Sequence, residues 1–313
     1  MPRLRPETLP MRVLDVVSRQ GLWRPGQTVL VAVSGGLDSI VLLDVLCRTA
    51  RAHGGSLSVQ SLDHGLRPEA TLDVDLSRSA AAAHGVPFAT RALSIPYGPD
   101  LMARARAARH ACWTATQADR IALGHHADDQ AETVLQRLAR GSGARGLAAM
   151  RPLHGRLCRP LLFERKATLL AYAKLRGLKW REDPSNPSTE RGVLRALHDA
   201  LESVRPGPVA GLARSARLLA EEDAFIEALT DRAAQGCRVG PGLDFARLQA
   251  EPRPLAARIL LRWVAPLGHP VSAERLEALL RGGSSGGALE LGGGWCVVFT
   301  GSVGQLTQRP LAP

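Results

Sequence analysis

Six consecutive residues, Ser34-Gly35-Gly36-Leu37-Asp38-Ser39, carry the clearest chemical signal in this chain. They follow a β-branched run at 28–33 and open a stretch whose leucines and valines recur at helical spacing. Glycines there let the backbone turn tightly and present N–H groups to an anion, and the helix N-terminus adds positive potential. The loop has neither the lysine of the Gly-x-x-x-x-Gly-Lys-Ser/Thr loop nor the Gly-x-Gly-x-x-Gly of dinucleotide binders. With no lysine for a terminal phosphate, but with Asp38 to help hold magnesium, it suits a pyrophosphate that departs. A second cluster, His125-His126-Ala127-Asp128-Asp129-Gln130-Ala131-Glu132, puts Asp128 and Glu132 four apart, and Asp129 and Glu132 three apart, on one helix face. Zinc is disfavoured because His-Glu-x-x-His spacing is missing, so magnesium or a cationic substrate fits the carboxylates better. Arg106 and Arg109, one turn apart, can face one anionic site. The competing readings are a solvated arginine face and core or capping histidines.

These residues need a scaffold that brings loop ends together. Strand, turn and helix alternate from 28 to about 123, with strands expected at 28–33, 57–62, 87–93 and 120–123 and helices at 37–51, 69–84 and 101–117. That alternation predicts an α/β fold, a mostly parallel sheet with helices on both faces. Ligands of such sheets bind at the carboxyl ends of the strands, where Ser34, Asp63 and His125 fall. A helix at 128–140 ends at Gly141-Ser142-Gly143, a turn-rich connection covers 151–160, and another helix covers 163–176. Past Arg205-Pro206-Gly207-Pro208 the pattern changes to helices at 209–234, 251–266 and 272–281, followed by strands at 288–291, 295–300 and 303–308. Two domains are expected, 1–207 and a small helical and β-hairpin region at 208–313.

The 34–39 loop resembles the signature of the PP-loop ATP pyrophosphatases. Within them the chain is similar to the bacterial tRNA(Ile)-lysidine synthase family through 63–67 (Asp-His-Gly-Leu-Arg), Ala105-Arg106 with Arg109, and the 124–133 cluster. Arg140-Gly141-Ser142-Gly143, Arg159-Pro160-Leu161-Leu162 and 180–186 extend the likeness over roughly 28–195. The resemblance implies ATP and magnesium as cofactors, and a reaction in two steps. The wobble cytidine of an isoleucine tRNA with a CAU anticodon attacks the α-phosphate through O2 and pyrophosphate leaves. The ε-amine of free L-lysine then attacks C2 and AMP leaves. On that reading Asp38, Arg106, Asp129 and Glu132 are catalytic, and Asp38 and Asp129 hold the metal. Ser34, Gly35, Gly36, Leu37, Asp38, Ser39, Asp63, His64, Arg106 and His125 bind the nucleotide, with His126 positioning the base or the metal site. Asp128, Glu132 and Arg195 bind lysine, and Arg137, Arg140, Arg145 and Arg191 meet RNA phosphates, with the region after 208 completing tRNA recognition. Departures from the family pattern are Gly192 in place of Asn, Met102 in place of Glu and His110 in place of Tyr.

Composition is that of a folded protein, 45% hydrophobic and 22% charged. Forty basic residues against 29 acidic give a net charge of +11, and only Lys166, Lys174 and Lys179 are lysines, so arginine, the better fork for phosphate, carries the excess. No apolar run approaches the roughly 20 residues that cross a bilayer, and no apolar segment follows Arg3 and Arg5, so a cytoplasmic, membrane-free protein is expected. The sequence is compatible with a homodimer. Cys47, Cys112, Cys158, Cys237 and Cys296 form no close pair. This counts against the strongest rival enzyme, a tRNA thiolase on the same ATP-activating domain, since sulfur transfer calls for catalytic cysteines or an iron-sulfur cluster. The non-enzymatic rival, a nucleotide- or RNA-binding relative without turnover, is opposed by the retained Asp38, Asp129 and Glu132. Arg253, Arg258, Arg262 and Arg281 read equally as a phosphate-facing surface or as solvated helix residues, and Leu260, Leu261, Val264, Leu276, Leu279 and Leu280 as core.

Overall fold

The structure, a computed structural model, describes residues 5–63, 70–93, 98, 101–182, 197, 200–204, 206–281 and 288–308. In the first part of the chain helix α1 (Leu9–Arg19) precedes β1 (Thr28–Ala32), α2 (Leu37–His53), β2 (Ser56–Asp63), α3 (Ala70–Ala83) and β3 (Phe88–Ala92). There follow α4 (Leu101–Thr114), β4 (Arg120–Ala122), α5 (Ala127–Ala139), α6 (Ala144–Leu147), the pair β5 (Leu153–His154) and β6 (Leu157–Cys158), and α7 (Lys166–Arg176). The strands form one six-stranded sheet in the order β3-β2-β1-β4-β6-β5, parallel except for the β5–β6 hairpin. The expected α/β alternation is present. Three features of this part lie outside the sequence expectation: α1, although Leu9, Val13 and Val17 recur at four-residue spacing, the four-residue helix α6, and the short hairpin within the connection at 151–160.

β1 shows why the sheet must be covered on both faces. Val29 and Val31 point into the core formed with Leu9, Val13 and Val17 of α1, the apolar residues of α2, and Leu169 and Tyr172 of α7. Leu30 points the other way, to Trp113, Ile121, Leu123 and Leu157. Each fully buried aliphatic side chain contributes about 1.5–3 kcal/mol. α2 is tied further by its buried Asp44, which accepts a 2.5 Å hydrogen bond from the Tyr172 hydroxyl of α7 and lies 3.3 Å from His84 Nε2. The helix that presents the 34–39 loop is thus fixed along its length.

At the end of α2 the buried His53 accepts hydrogen bonds at Nδ1 from the Trp23 indole (3.3 Å) and the Gly55 N–H (3.0 Å), so the proton sits on Nε2 and is donated to the Leu46 carbonyl at 3.0 Å. Burial pulls its pKa below the ordinary 6.5, against the opposing effect of the Leu46 hydrogen bond. The folded state then binds fewer protons than the unfolded state between the two pKa values, so stability rises with pH there. The His53 contribution is expected in full above about pH 6.5 and to be lost as the pH falls from there to the folded-state value. Melting temperatures between pH 7.5 and 5.5 should fall less in His53→Gln than in the parent, and equal falls would remove His53 as the cause.

The second part of the chain is α8 (Pro208–Cys237), β7 (Arg238–Val239), β8 (Gly242–Asp244), α9 (Phe245–Ala250), α10 (Arg253–Val264), α11 (Ala273–Leu280), β9 (Ala288–Gly292), β10 (Trp295–Thr300) and β11 (Val303–Gln308). The compact units are Met1–Ala220 and Glu221–Pro313, so the division lies within α8, whereas the composition change lies near 207. The second unit holds a five-stranded antiparallel sheet, β7-β8-β11-β10-β9, over a core in which Phe245 meets Phe299 and Trp263 edge-on at centroid distances of 5.1 and 5.8 Å. Leu260, Val264 and Leu279 are buried there and Leu276 and Leu280 pack against them, but Leu261 is exposed, contrary to expectation. Arg258 pairs with Asp223 at 2.6 Å and with Glu227, Arg262 pairs with Glu227 and with Asp231 at 2.6 Å, and Arg253 pairs with Glu277. These three arginines therefore bind one helix to another and are not a free phosphate-facing surface. Among the described residues no helix is long and apolar enough to cross a membrane.

Candidate active site

Strand order reverses between β1 and β4, and a crevice opens beyond the carboxyl ends of strands at such a point. A cavity of about 220 Å³ lies there. Ala32, Val33, Ser34, Gly36, Asp38 and Ser39 line it from β1 and the start of α2, and Leu123, Gly124, His125 and Asp129 from the end of β4 and the start of α5. Gln60 and Leu62 of β2 and Arg109 and Trp113 of α4 complete the wall. The cavity joins a polar, anion-seeking end to an apolar, aromatic one, as a nucleotide requires.

The loop is held in shape by its own side chains. Ser39 Oγ accepts from the Ser34 N–H at 3.1 Å and donates to the Gly36 carbonyl at 2.9 Å. Gly35 turns the chain at φ +77°, and its carbonyl accepts from the Arg181 N–H at 3.0 Å. Arg181 in turn reaches Asp73 at 2.8 Å, strapping the segment before 183 to the loop. A Cβ on Gly124 would lie 3.1 Å from the Asp38 carbonyl carbon and 3.2 Å from the Ser39 nitrogen, so the first turn of α2 rests directly on the end of β4.

α5 starts at a capping box: the His126 N–H donates to Asp129 Oδ2 at 2.9 Å, and the Asp129 N–H approaches His126 Nδ1 at 3.4 Å. His126, 3% exposed, also has Nε2 3.5 Å from Asp38 Oδ2 and Nδ1 3.7 Å from Asp128. Burial opposes its charged form, but Asp38, Asp129 and Asp128 together outweigh burial and raise its pKa above the ordinary value. His126 thereby links the two carboxylates that line the cavity.

The remaining expected residues are distributed unevenly. Leu37 is buried in the core, Asp63 ends β2, and Arg106 is exposed on α4 one turn before Arg109; none of them, nor Glu132 or Asp128, lines the cavity. Glu132 is 3% exposed. Asp128 is taken by Arg165, 3.2 Å from each of its oxygens, and by the Lys166 N–H at 2.8 Å; these hydrogen bonds outweigh burial and lower its pKa. Arg137 is half-buried, and Arg140 and Arg145 are exposed. His64, Arg191, Gly192 and Arg195 lie outside the described residues, as does the Met102 side chain. His110 packs 5.9 Å from Trp113, which lines the cavity. Sequence reasoning did not find Gln60 and Trp113, whose ordinary strand and helix positions carry no motif.

The donor set fits a magnesium nucleotide. Asp38 Oδ1 is buried without a hydrogen-bond partner, and Asp129 shares its cavity. No group of three or more His, Cys, Asp or Glu side chains forms a metal site among the described residues. Magnesium is commonly held by one or two carboxylates together with substrate phosphates, which matches this pair. None of the five cysteines lines the cavity, and burial pushes the thiols of Cys47, with Asp44 nearby, and Cys158 up to about 12.

A phosphate loop without a lysine, set where the strand order of a parallel sheet reverses, defines a nucleotide-binding domain of the PP-loop class, and the PP-loop domain family matches residues 8–199. The TilS substrate binding domain family matches residues 243–303. Over 298 residues the chain is 39% identical to the tRNA(Ile)-lysidine synthase of Azoarcus sp. (strain BH72), covering 89% of this chain and 65% of that protein. It is 38% identical to the enzyme of the same name from Mycolicibacterium paratuberculosis, covering 75% of this chain and 73% of that one. The chain thus belongs to the tRNA(Ile)-lysidine synthase family of the PP-loop superfamily. It spans 65% of the length of the Azoarcus relative and of its Xanthomonas campestris counterparts. Among solved structures, a U34-tRNA thiolase, NcsA from Methanococcus maripaludis with its [4Fe-4S] cluster, aligns with a TM-score of 0.58 at 20% identity, covering 69% of this chain and 79% of that one, a likeness of fold alone.

Proposed function

We propose that this chain converts the wobble cytidine of an isoleucine tRNA with a CAU anticodon to lysidine, using ATP and free L-lysine. The observation that carries the reading is the cavity at the β1–β4 reversal, with the 34–39 loop, Asp38 and Asp129 on one wall and Leu62 and Trp113 on another. Backbone N–H groups of the loop receive the phosphates, and Arg109 offsets charge as the cytidine O2 displaces pyrophosphate from the α-phosphorus. Magnesium, held by Asp38 and Asp129, neutralises phosphate oxygens when bound. The ε-amine of lysine then attacks C2, loses a proton and expels AMP.

We assign the lysine to Glu132 and Arg195. Asp128 serves through its ion pair with Arg165, which commits its acceptors and fixes the first turn of α5. Arg106, Arg137, Arg140, Arg145 and Arg191 are assigned to the RNA side, with residues 208–313 gripping the tRNA elsewhere. A cytoplasmic setting, where tRNA and ATP meet, follows from those substrates.

The test is incorporation of labelled lysine into a CAU-anticodon tRNA(Ile) transcript with ATP and magnesium, beside a reaction without lysine monitored for pyrophosphate. Labelled RNA is expected. Pyrophosphate release without labelling would keep adenylation and exclude lysine, and neither product from folded protein would overturn the proposal.

A further inference from the structure

Three arginines outside the cavity lining, Arg106, Arg137 and Arg159, lie near one another with no carboxylate paired to them among the described residues. Arg137 Nη1 donates to the Gly146 carbonyl at 2.6 Å and the Ala149 carbonyl at 3.3 Å, and Arg159 Nη1 donates to the Arg151 carbonyl at 2.8 Å. Both guanidiniums are thus anchored to the same turn, 146–151. That turn is rigidly built: Ala149 has the one positive φ of a non-glycine residue among the described residues, 52°, and the Gln130 amide clamps both the N–H and the carbonyl of Met150 at 2.8 and 2.9 Å. Strained backbone held by surrounding hydrogen bonds is a feature of binding sites. Arg159 is only 7% exposed, and its buried Nε has no hydrogen-bond partner. Burial lowers the pKa of both Arg137 and Arg159, and the nearby Arg106 lowers each further, so the charge of Arg106 is repelled by both. No ion pair of these three with a carboxylate occurs among the described residues.

Repulsion of this kind is relieved by an anion, and planar guanidiniums suit a phosphate. We propose that Arg106, Arg137 and Arg159 form a phosphate subsite beside the nucleotide cavity, occupied by a phosphodiester group of the RNA next to the reacting base. This rests on the RNA substrate proposed above. The nucleotide's own phosphates are served by the 34–39 loop, and none of the three arginines lines that cavity. Arg106 is exposed, so a macromolecule can reach the cluster from solvent.

The experiment measures affinity for a CAU-anticodon tRNA(Ile) transcript against salt concentration in the parent, Arg137→Gln, Arg159→Gln and Arg159→Lys, with ATP affinity measured alongside. Each glutamine variant is expected to bind the RNA roughly tenfold more weakly, with the log-log salt slope reduced by about 1, while Arg159→Lys keeps the parental slope. ATP affinity stays at the parental value. Should Arg159→Gln fail to fold, the half-buried Arg137→Gln decides. Unchanged slopes in folded variants overturn the subsite while leaving the RNA reading intact, and an equal loss of ATP affinity assigns the arginines to the nucleotide instead. A parent that binds no RNA overturns both.

Discussion

Asp38→Asn is expected to reduce pyrophosphate release roughly 10³-fold while the melting temperature stays level or rises. The loss corresponds to about 4 kcal/mol of transition-state stabilisation, the scale expected if Asp38 holds magnesium beside the reacting phosphate as proposed above. The stability half of this expectation comes from burial. Asp38 Oδ1 is buried without a donor, and a buried acceptor left unpaired costs roughly 1–3 kcal/mol. Its other oxygen faces His126 Nε2 at 3.5 Å, where an amide oxygen keeps the hydrogen bond and gives up only the Asp38 share of the charge that raises the His126 pKa, Asp129 and Asp128 remaining. Steady-state pyrophosphate release and a thermal melt on one preparation decide it: a large drop in melting temperature with activity retained would make Asp38 a structural residue.

Gly35→Ala should remove ATP binding and destabilise the first unit by about 2 kcal/mol or more. Gly35 sits at φ +77°, where a side chain alone costs roughly 1–2 kcal/mol. A Cβ there would also come within 2.9 Å of the Asp73 carbonyl oxygen and 3.1 Å of Asp73 Cα, both backbone atoms that cannot swing aside. Relief would have to come from moving the loop away from α3, which also breaks the hydrogen bond from the Arg181 N–H to the Gly35 carbonyl. Gly36 is the internal control: it has ordinary extended geometry, φ −78°, and its nearest neighbour to a new Cβ is Ser34 Oγ at 3.6 Å. Gly36→Ala should therefore melt near the parent. Calorimetric ATP titration and melting of the two variants test this together, and identical melting would sink the conformational explanation.

The sequence by itself determined the parts whose causes are local. The 34–39 loop is legible because its glycines and serines and the following helical spacing act within a few residues, and β1, α2, β2 and α3 follow from short-range periodicity. The carboxylates of α5 are legible as a face for the same reason. α1 carried a readable period at Leu9, Val13 and Val17, so its omission is a missed local signal, whereas the two-residue strands β5 and β6 have too little period to read.

Only the tertiary structure decided how those parts are used. Strand order placed β4 beside β1 and so brought Gly124 and Asp129 to the phosphate loop, a pairing that no spacing encodes. Asp128 and Asp129 are neighbours of one chemical type, yet packing gave Asp128 to Arg165 and left Asp129 on the cavity wall. His126 acquired its charge environment from Asp38, far away in sequence, and Arg181 found Asp73 across the phosphate loop. Arg258 and Arg262 look like any solvated helix arginines until α8 places Asp223, Glu227 and Asp231 beside them. Local chemistry fixes what a residue can do, but the partner that claims a charge is chosen by which elements the fold packs together.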